Sequence, residues 1–137
     1  MKDDSSISVR QKLSALWISV MFFYIYADIQ GFYQTGLISK IIAGDIDGII
    51  ISQTFLFFGA VLMSIPIAMI VLTLILPHRT CRILSIVLAT AHILLAIAVL
   101  FIGSDTWFFW YYYTILEVAT YIIIVVLSIK WKAPDRV

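Results

Sequence analysis

The stretch from Gly48 to Leu76, GIIISQTFLFFGAVLMSIPIAMIVLTLIL, runs for 29 residues without a charged side chain or a histidine. A helix needs about 20 apolar residues to cross the hydrocarbon of a bilayer, so this segment alone argues for a membrane span. Working outward from it, three more apolar stretches reach or approach that length, at residues 13–30, 81–102 and 107–129. The composition agrees. Of 137 residues 63% are hydrophobic and 12% charged, where soluble domains carry about 25% charged residues. The expectation is all-α: an integral membrane four-helix bundle, a single transmembrane domain over residues 1–137, with spans at 13–30, 48–76, 81–102 and 107–129. A soluble catalytic domain has no room beside it.

Orientation follows from the basic residues. Lys2, Arg10 and Lys12 precede the first span, Arg79 and Arg82 flank the turn between the second and third, and Lys130, Lys132 and Arg136 follow the fourth, with only Lys40 on the other side. Both termini are therefore expected in the cytoplasm and the protein in the plasma (inner) membrane. Asp45, Asp47 and Asp105 then face outward, Trp107, Trp110 and Tyr111 form an outer aromatic belt, and Trp131 an inner one. The first span carries Tyr24, Tyr26 and Asp28 near its end and no small-x-small cleavage site, so it is expected to be retained. The turns at Pro77–Arg79 and Gly103–Thr106 are short, which predicts that spans two, three and four pack as consecutive antiparallel neighbours.

The first outer connection, from Gly31 to Asp47, is long enough to fold. Leu37, Ile38, Ile41 and Ile42 make one apolar face, which predicts a short interfacial helix capped by Gly44, with Asp47 as N-cap of the second span. The run Asp45-Ile46-Asp47-Gly48 lacks the distal glutamate and further oxygens of a calcium loop. A net charge of +1 with no basic run speaks against nucleic acid as a partner. The single cysteine, Cys81, excludes a two-thiol redox centre, and two histidines with one cysteine assemble no zinc site, so no metal is expected.

Ionisable groups inside a span are costly, which singles out Asp28, His92 and Glu117. At 1.5 Å per residue, His92 and Glu117 both lie roughly 15 Å below the outer ends of adjacent spans, so they are expected to be close and to act as a proton-exchanging pair. Tyr113 and Tyr121 flank Glu117 by one turn; Ser85, Ala89 and Ala96 share the face of His92. Asp28 extends a stripe with Trp17, Met21 and Tyr24. On the second span Gln53, Phe57, Ala60 and Ser64 make another stripe, with Pro66 expected to kink the helix beside it. Ala60, Ser64 and Ala68 fit a close-packing face equally well. The structural alternatives are a protonated Glu117 that merely holds helices together and an Asp28 that ends a helix in partly hydrated surroundings. His78 reads as a turn residue without a specific task.

The strings FFYIYADI, Phe22–Ile29, and LMSIPIAM, Leu62–Met69, resemble an uncharacterised bacterial family of small four-span membrane proteins related to the DoxX-like proteins. The resemblance covers segment order, the long first outer loop and an acid in the fourth span, here Glu117. It implies a four-helix membrane bundle; some DoxX-like proteins are associated with quinone-linked oxidoreductase complexes or with chaperone and cargo roles. No catalytic residue carries over.

These observations converge on a membrane protein that binds a small hydrophobic or amphipathic ligand, quinone-, sterol- or isoprenoid-like, in an outward-opening cavity. The expected lining is Tyr24, Asp28, Gln53, Ser64, Tyr113 and Tyr121, with His92 and Glu117 as the proton-active groups and no cofactor required. The alternatives are an oligomeric proton-coupled transporter or channel that uses Glu117, and an accessory subunit of a larger membrane complex. Beyond the bilayer and that ligand, the expected partners are a second copy of the chain or such a complex.

Overall fold

A computed structural model describes residues 7–101 and 107–132. Four helices long and apolar enough to cross a bilayer dominate it: α1 (Val9–Phe32), α3 (Gln53–Ile75), α4 (His78–Val99) and α5 (Phe108–Lys130). Between the first two lie a short helix, α2 (Leu37–Ala43), and a minimal hairpin of β1 (Asp45–Ile46) and β2 (Ile49–Ile50). The Gly103–Thr106 turn and the placement of Asp105, Lys2 and Arg136 lie outside the described residues.

Local chemistry sets the boundaries. Ser8 and Gln11 form a reciprocal capping box, so α1 begins four residues before the purely apolar run would start it. Gly44 caps α2 with a φ of 75°, as its position suggested. Asp47 does not cap the second span. It sits at φ 53°, followed by Gly48 at φ 91°, the two positive-φ positions of a tight hairpin turn; its carboxylate pairs with Lys40 at 2.6 Å, and the Gly48 N–H donates to Asp45 Oδ1. The cap is Ser52, whose hydroxyl accepts from the Phe55 N–H, so the helix starts at Gln53 and not at Gly48.

α1 is the hub. It packs against both α3 and α5, and α4 packs on α5, whereas α3 and α4 touch only slightly. Spans two and three are thus joined by a tight turn yet are not packed neighbours along their lengths, contrary to the expectation from loop length. The reason is compositional: α1 presents Leu13, Trp17 and Val20, all fully buried, and these attract α3 and α5 to either side of it. Met69, Cys81, Ala89, Tyr121 and Ile124 complete the core.

The end of the bundle where α1 starts and α5 stops, the terminal end, is tied by cations on helix C-terminal carbonyls. Arg10 donates to Thr73 O at 3.1 Å and Leu76 O at 2.6 Å at the end of α3, and its guanidinium lies 5.2 Å from the ring centroid of Trp131. Arg82 donates to Ile129 O at the end of α5. His78 Nε2 donates to Trp131 O, and its ring meets that indole edge-on at 4.4 Å, so His78 is a bundle contact and not an idle turn residue. Each contact satisfies a carbonyl near a helix C-terminus, and the two arginines place positive charge at the negative end of a helix dipole. Ser14 adds a bond to Ile70 O.

Replacing Arg10 by alanine is expected to cost about 2 kcal/mol, because two charge-assisted bonds vanish together. Lysine, which lacks the planar fork, should restore only part of it. Unfolding from mixed micelles with a denaturing detergent reads both variants.

Candidate functional site

Toward the other end, the loop end, the interior faces of the helices come apart. The buried stripe of α3, Thr73, Met69 and Pro66, continues at helical spacing through Leu62, Phe58 and Phe55, yet Phe58 is 66% and Phe55 47% exposed. On α1 the stripe Trp17, Tyr24 and Asp28 runs from fully buried to exposed. Residues that face the bundle axis are uncovered because α3 and α4 diverge from their shared turn at Leu76–His78. α3 and α4 are in only slight contact, so a cleft parts them beyond that turn.

Polar groups gather at the base of this cleft. The Tyr24 and Tyr121 hydroxyls are hydrogen-bonded at 2.9 Å across α1 and α5. The His92 ring lies 5.4 Å from the ring of Tyr121 and 6.4 Å from that of Trp17, and Trp17 and Tyr121 meet edge-on at 5.7 Å. His92 Nδ1 is 2.8 Å from Leu88 O, one turn back on its own helix. A carbonyl only accepts, so Nδ1 carries a proton and Nε2 is turned away from that helix. Nε2 and the Trp17 indole N–H are both buried without a partner. Glu117 is only 6% exposed and has no hydrogen-bond partner among the described residues. It stands one turn from Tyr121 on α5, as Asp28 stands one turn from Tyr24 on the antiparallel α1, so the Tyr24–Tyr121 bond sets the two carboxyls at neighbouring levels.

Tyr24, His92, Glu117 and Tyr121 are therefore brought into one layer, with Asp28 above them and Tyr113, half-buried, one turn from Glu117. His92 and Glu117 are not bonded: Nδ1 of His92 is spent on Leu88 O, and Nε2 has no partner among the described residues. Gln53 and Ser64 are not part of it. Ser64 lies nine residues from Thr73, about 180° around the helix at about 100° per residue, so its stripe is the exposed back of α3. Its hydroxyl is spent on Val61 O at 2.6 Å, two residues ahead of Pro66. Ala60 and Ala68, on the same face, are likewise exposed.

Trp17 was legible only as a stripe member, although its indole is the aromatic wall on which both His92 and Tyr121 rest. The one available signal was its place three residues below Val20 and one turn below Met21 on an otherwise aliphatic face. Toward the terminal end Leu13, Ala89 and Ile124 are fully buried, and the buried hydroxyls of Ser85 and Ser128 have no partner among the described residues. Two shallow depressions open elsewhere at the loop end, one along Ser39, Lys40, Asp45 and Asp47, the other along Gln30, Gln34, Trp107 and Phe109.

Residues 4–136 match the family of unknown function DUF6326, and the chain belongs to that family. No curated protein and no solved structure matches it.

The tyrosine pair can be weighed by a double-mutant cycle. Tyr24→Phe strands the buried Tyr121 hydroxyl and should cost about 1–3 kcal/mol; Tyr24→Phe with Tyr121→Phe should cost less than the sum of the singles. Additive losses in thermal or detergent unfolding would mean that the two hydroxyls are not coupled.

Proposed function

We propose that this member of the DUF6326 family is a multi-pass protein of the plasma membrane that holds a small amphipathic ligand in the cleft between α3 and α4. The apolar body of the ligand lies against Phe55, Phe58 and Leu62, and its polar end reaches Glu117, Asp28, Tyr24 and His92. The observation that carries this reading is the exposure of Asp28. It shares a helix face with the fully buried Trp17, so that face of α1 passes from covered to open between the two residues. A protein-lined chamber with a few convergent polar groups in an apolar wall orients a ligand by its head while leaving the body loosely specified. Kinship with the DoxX-like proteins, on the strength of span order and the long first loop, belongs to the same proposal.

In this reading both termini face the cytoplasm, α2 lies along the outer interface with Ile38 and Ile42, both exposed, turned to lipid, and the cleft opens outward. Glu117 is the group that exchanges a proton as the ligand arrives and leaves. It is buried and unpartnered, so its charge state depends on what occupies the cleft.

Native mass spectrometry of the gently extracted protein tests the ligand. A discrete small-molecule adduct is expected on the protomer, and Leu62→Trp, which fills the cleft, should remove it without loss of helix content. An adduct-free tight oligomer would instead favour transport through Glu117. Orientation has its own test. Tyr33, 85% exposed at the loop end, replaced by cysteine should react with an impermeant maleimide on intact cells, and Lys132→Cys only after permeabilisation; the opposite pattern inverts the topology.

A further inference from the structure

The depression where α1 ends and α5 begins is lined by Gln30, Tyr33, Gln34, Trp107 and Phe109 and has a volume of about 410 Å³, within the range of small-molecule pockets. Local sequence sets its walls. Gly31 leaves room for the Trp110 indole, which would stand 3.1 Å from a Cβ at that position, so the start of α5 seats directly on the end of α1. The Phe109 ring follows at 4.9 Å from that of Trp110, and the Trp107 ring lies 6.5 Å from Phe109 with its plane turned by 69°. Opposite them α1 stops in a series of turns, Tyr33 N–H to Gln30 O, Gln34 N–H to Gly31 O and Leu37 N–H to Gln34 O, which sets the two glutamines and Tyr33 along one rim.

The chemistry of that lining is narrow. It contains no lysine, arginine, histidine, aspartate or glutamate. A phosphate head needs a cation, and Lys40 lines the other depression, where Asp47 holds it at 2.6 Å. An ammonium head would meet rings with no carboxylate beside them. What the lining offers is amides next to aromatic faces. Gln34 Oε1 accepts from the Trp110 indole N–H at 3.4 Å, which leaves its amide nitrogen to donate elsewhere, and Gln30 adds a second amide. Hydroxyls both donate and accept, as amides do, and the C–H face of a sugar ring, slightly positive at its hydrogens, suits the negative face of an aromatic ring.

The surroundings favour a sugar carried by a lipid. The depression lies where two helices long and apolar enough to cross a bilayer have their ends, which is the level of lipid headgroups. Gln30 and Tyr33 continue, at helical spacing, an exposed stripe that runs back along α1 through Tyr26 and Phe22, whose rings stack at 6.5 Å. A polar basin thus stands at the head of an apolar track.

We propose that this depression binds the uncharged sugar head of a membrane glycolipid, whose acyl chains lie along Tyr26 and Phe22. The head rests against Trp107 and Phe109 and bonds to the amides of Gln30 and Gln34. The site is separate from the α3–α4 cleft and does not depend on what that cleft holds.

Native mass spectrometry of the full chain tests this in micelles of a polyoxyethylene ether, which carries no sugar, with equal amounts of monoglucosyl diacylglycerol, phosphatidylglycerol and phosphatidylcholine of matched chains. The glucolipid is expected to dominate the lipid adducts. Trp107→Ala and Gln34→Leu should each lower its share about fivefold, the loss that accompanies one stacked ring or one hydrogen bond, and circular dichroism checks that the helices remain. Leu62→Trp, in the cleft, should leave it unchanged; a glucolipid adduct that this variant alone removes would belong to the cleft and overturn the assignment. Methyl glucoside at the concentration of the glucolipid should not displace it, and displacement would mean that the site reads a free sugar, against the lipid source. Dominance of phosphatidylcholine would make the rings an ammonium cage. That result, equal retention of all three lipids, or a glucolipid share that neither Trp107→Ala nor Gln34→Leu changes would overturn the proposal.

Discussion

Arg10 holds the architecture together. Its guanidinium reaches the last carbonyls of α3 and covers the Trp131 ring at the end of α5, so one side chain on α1 fixes the two helices that flank it. Carbonyls at a helix end must find donors when water is scarce, and here the donors are charged groups anchored on neighbouring helices. Arg82 and His78 do the same for the end of α5 from α4. All four long helices are thereby gathered at one end, and the short turn at Pro77 keeps α3 and α4 from parting there. No comparable set of contacts spans α3 and α4 at the loop end among the described residues, where Trp110 on α5 instead reaches α1 and the following loop, against Gly31 and Gln34.

A bundle tied at one end and loosely joined at the other is wedge-shaped, and the wedge decides which polar residues are structural. Ser14 and Thr73 lie in the tied half and spend their hydroxyls on Ile70 O, where they strengthen helix contacts. Asp28 is exposed toward the loop end, whereas His92 and Glu117 are buried in the core, and none of their functional groups is consumed by the described residues apart from Nδ1 of His92.

The four long helices were legible because hydrophobic length is a one-dimensional property. Gly44 was legible as a cap because capping is local. Rotation and neighbour choice were not. On α3 nearly every side chain is apolar, so periodicity cannot tell the face of Met69 and Thr73 from that of Gln53 and Ser64, and the polar atoms of the latter stripe invited the wrong choice. Which helices pack was hidden too, because turn length restricts where two helices start and not whether they stay together. Asp47 misled through an ambiguity of chemistry: Asp-Gly serves a hairpin turn as readily as an aspartate serves a helix cap, and Ser52 five residues later was the better cap.

The imidazole and the carboxyl of the central layer are better understood as conditional partners than as a standing pair. With Nδ1 committed to Leu88 O as donor, neutral His92 offers Nε2 only as an acceptor. A carboxylate is also only an acceptor, so ionised Glu117 has nothing to exchange with it; protonated Glu117 has a donor and can. A bond between them would therefore exist only while the acid holds its proton.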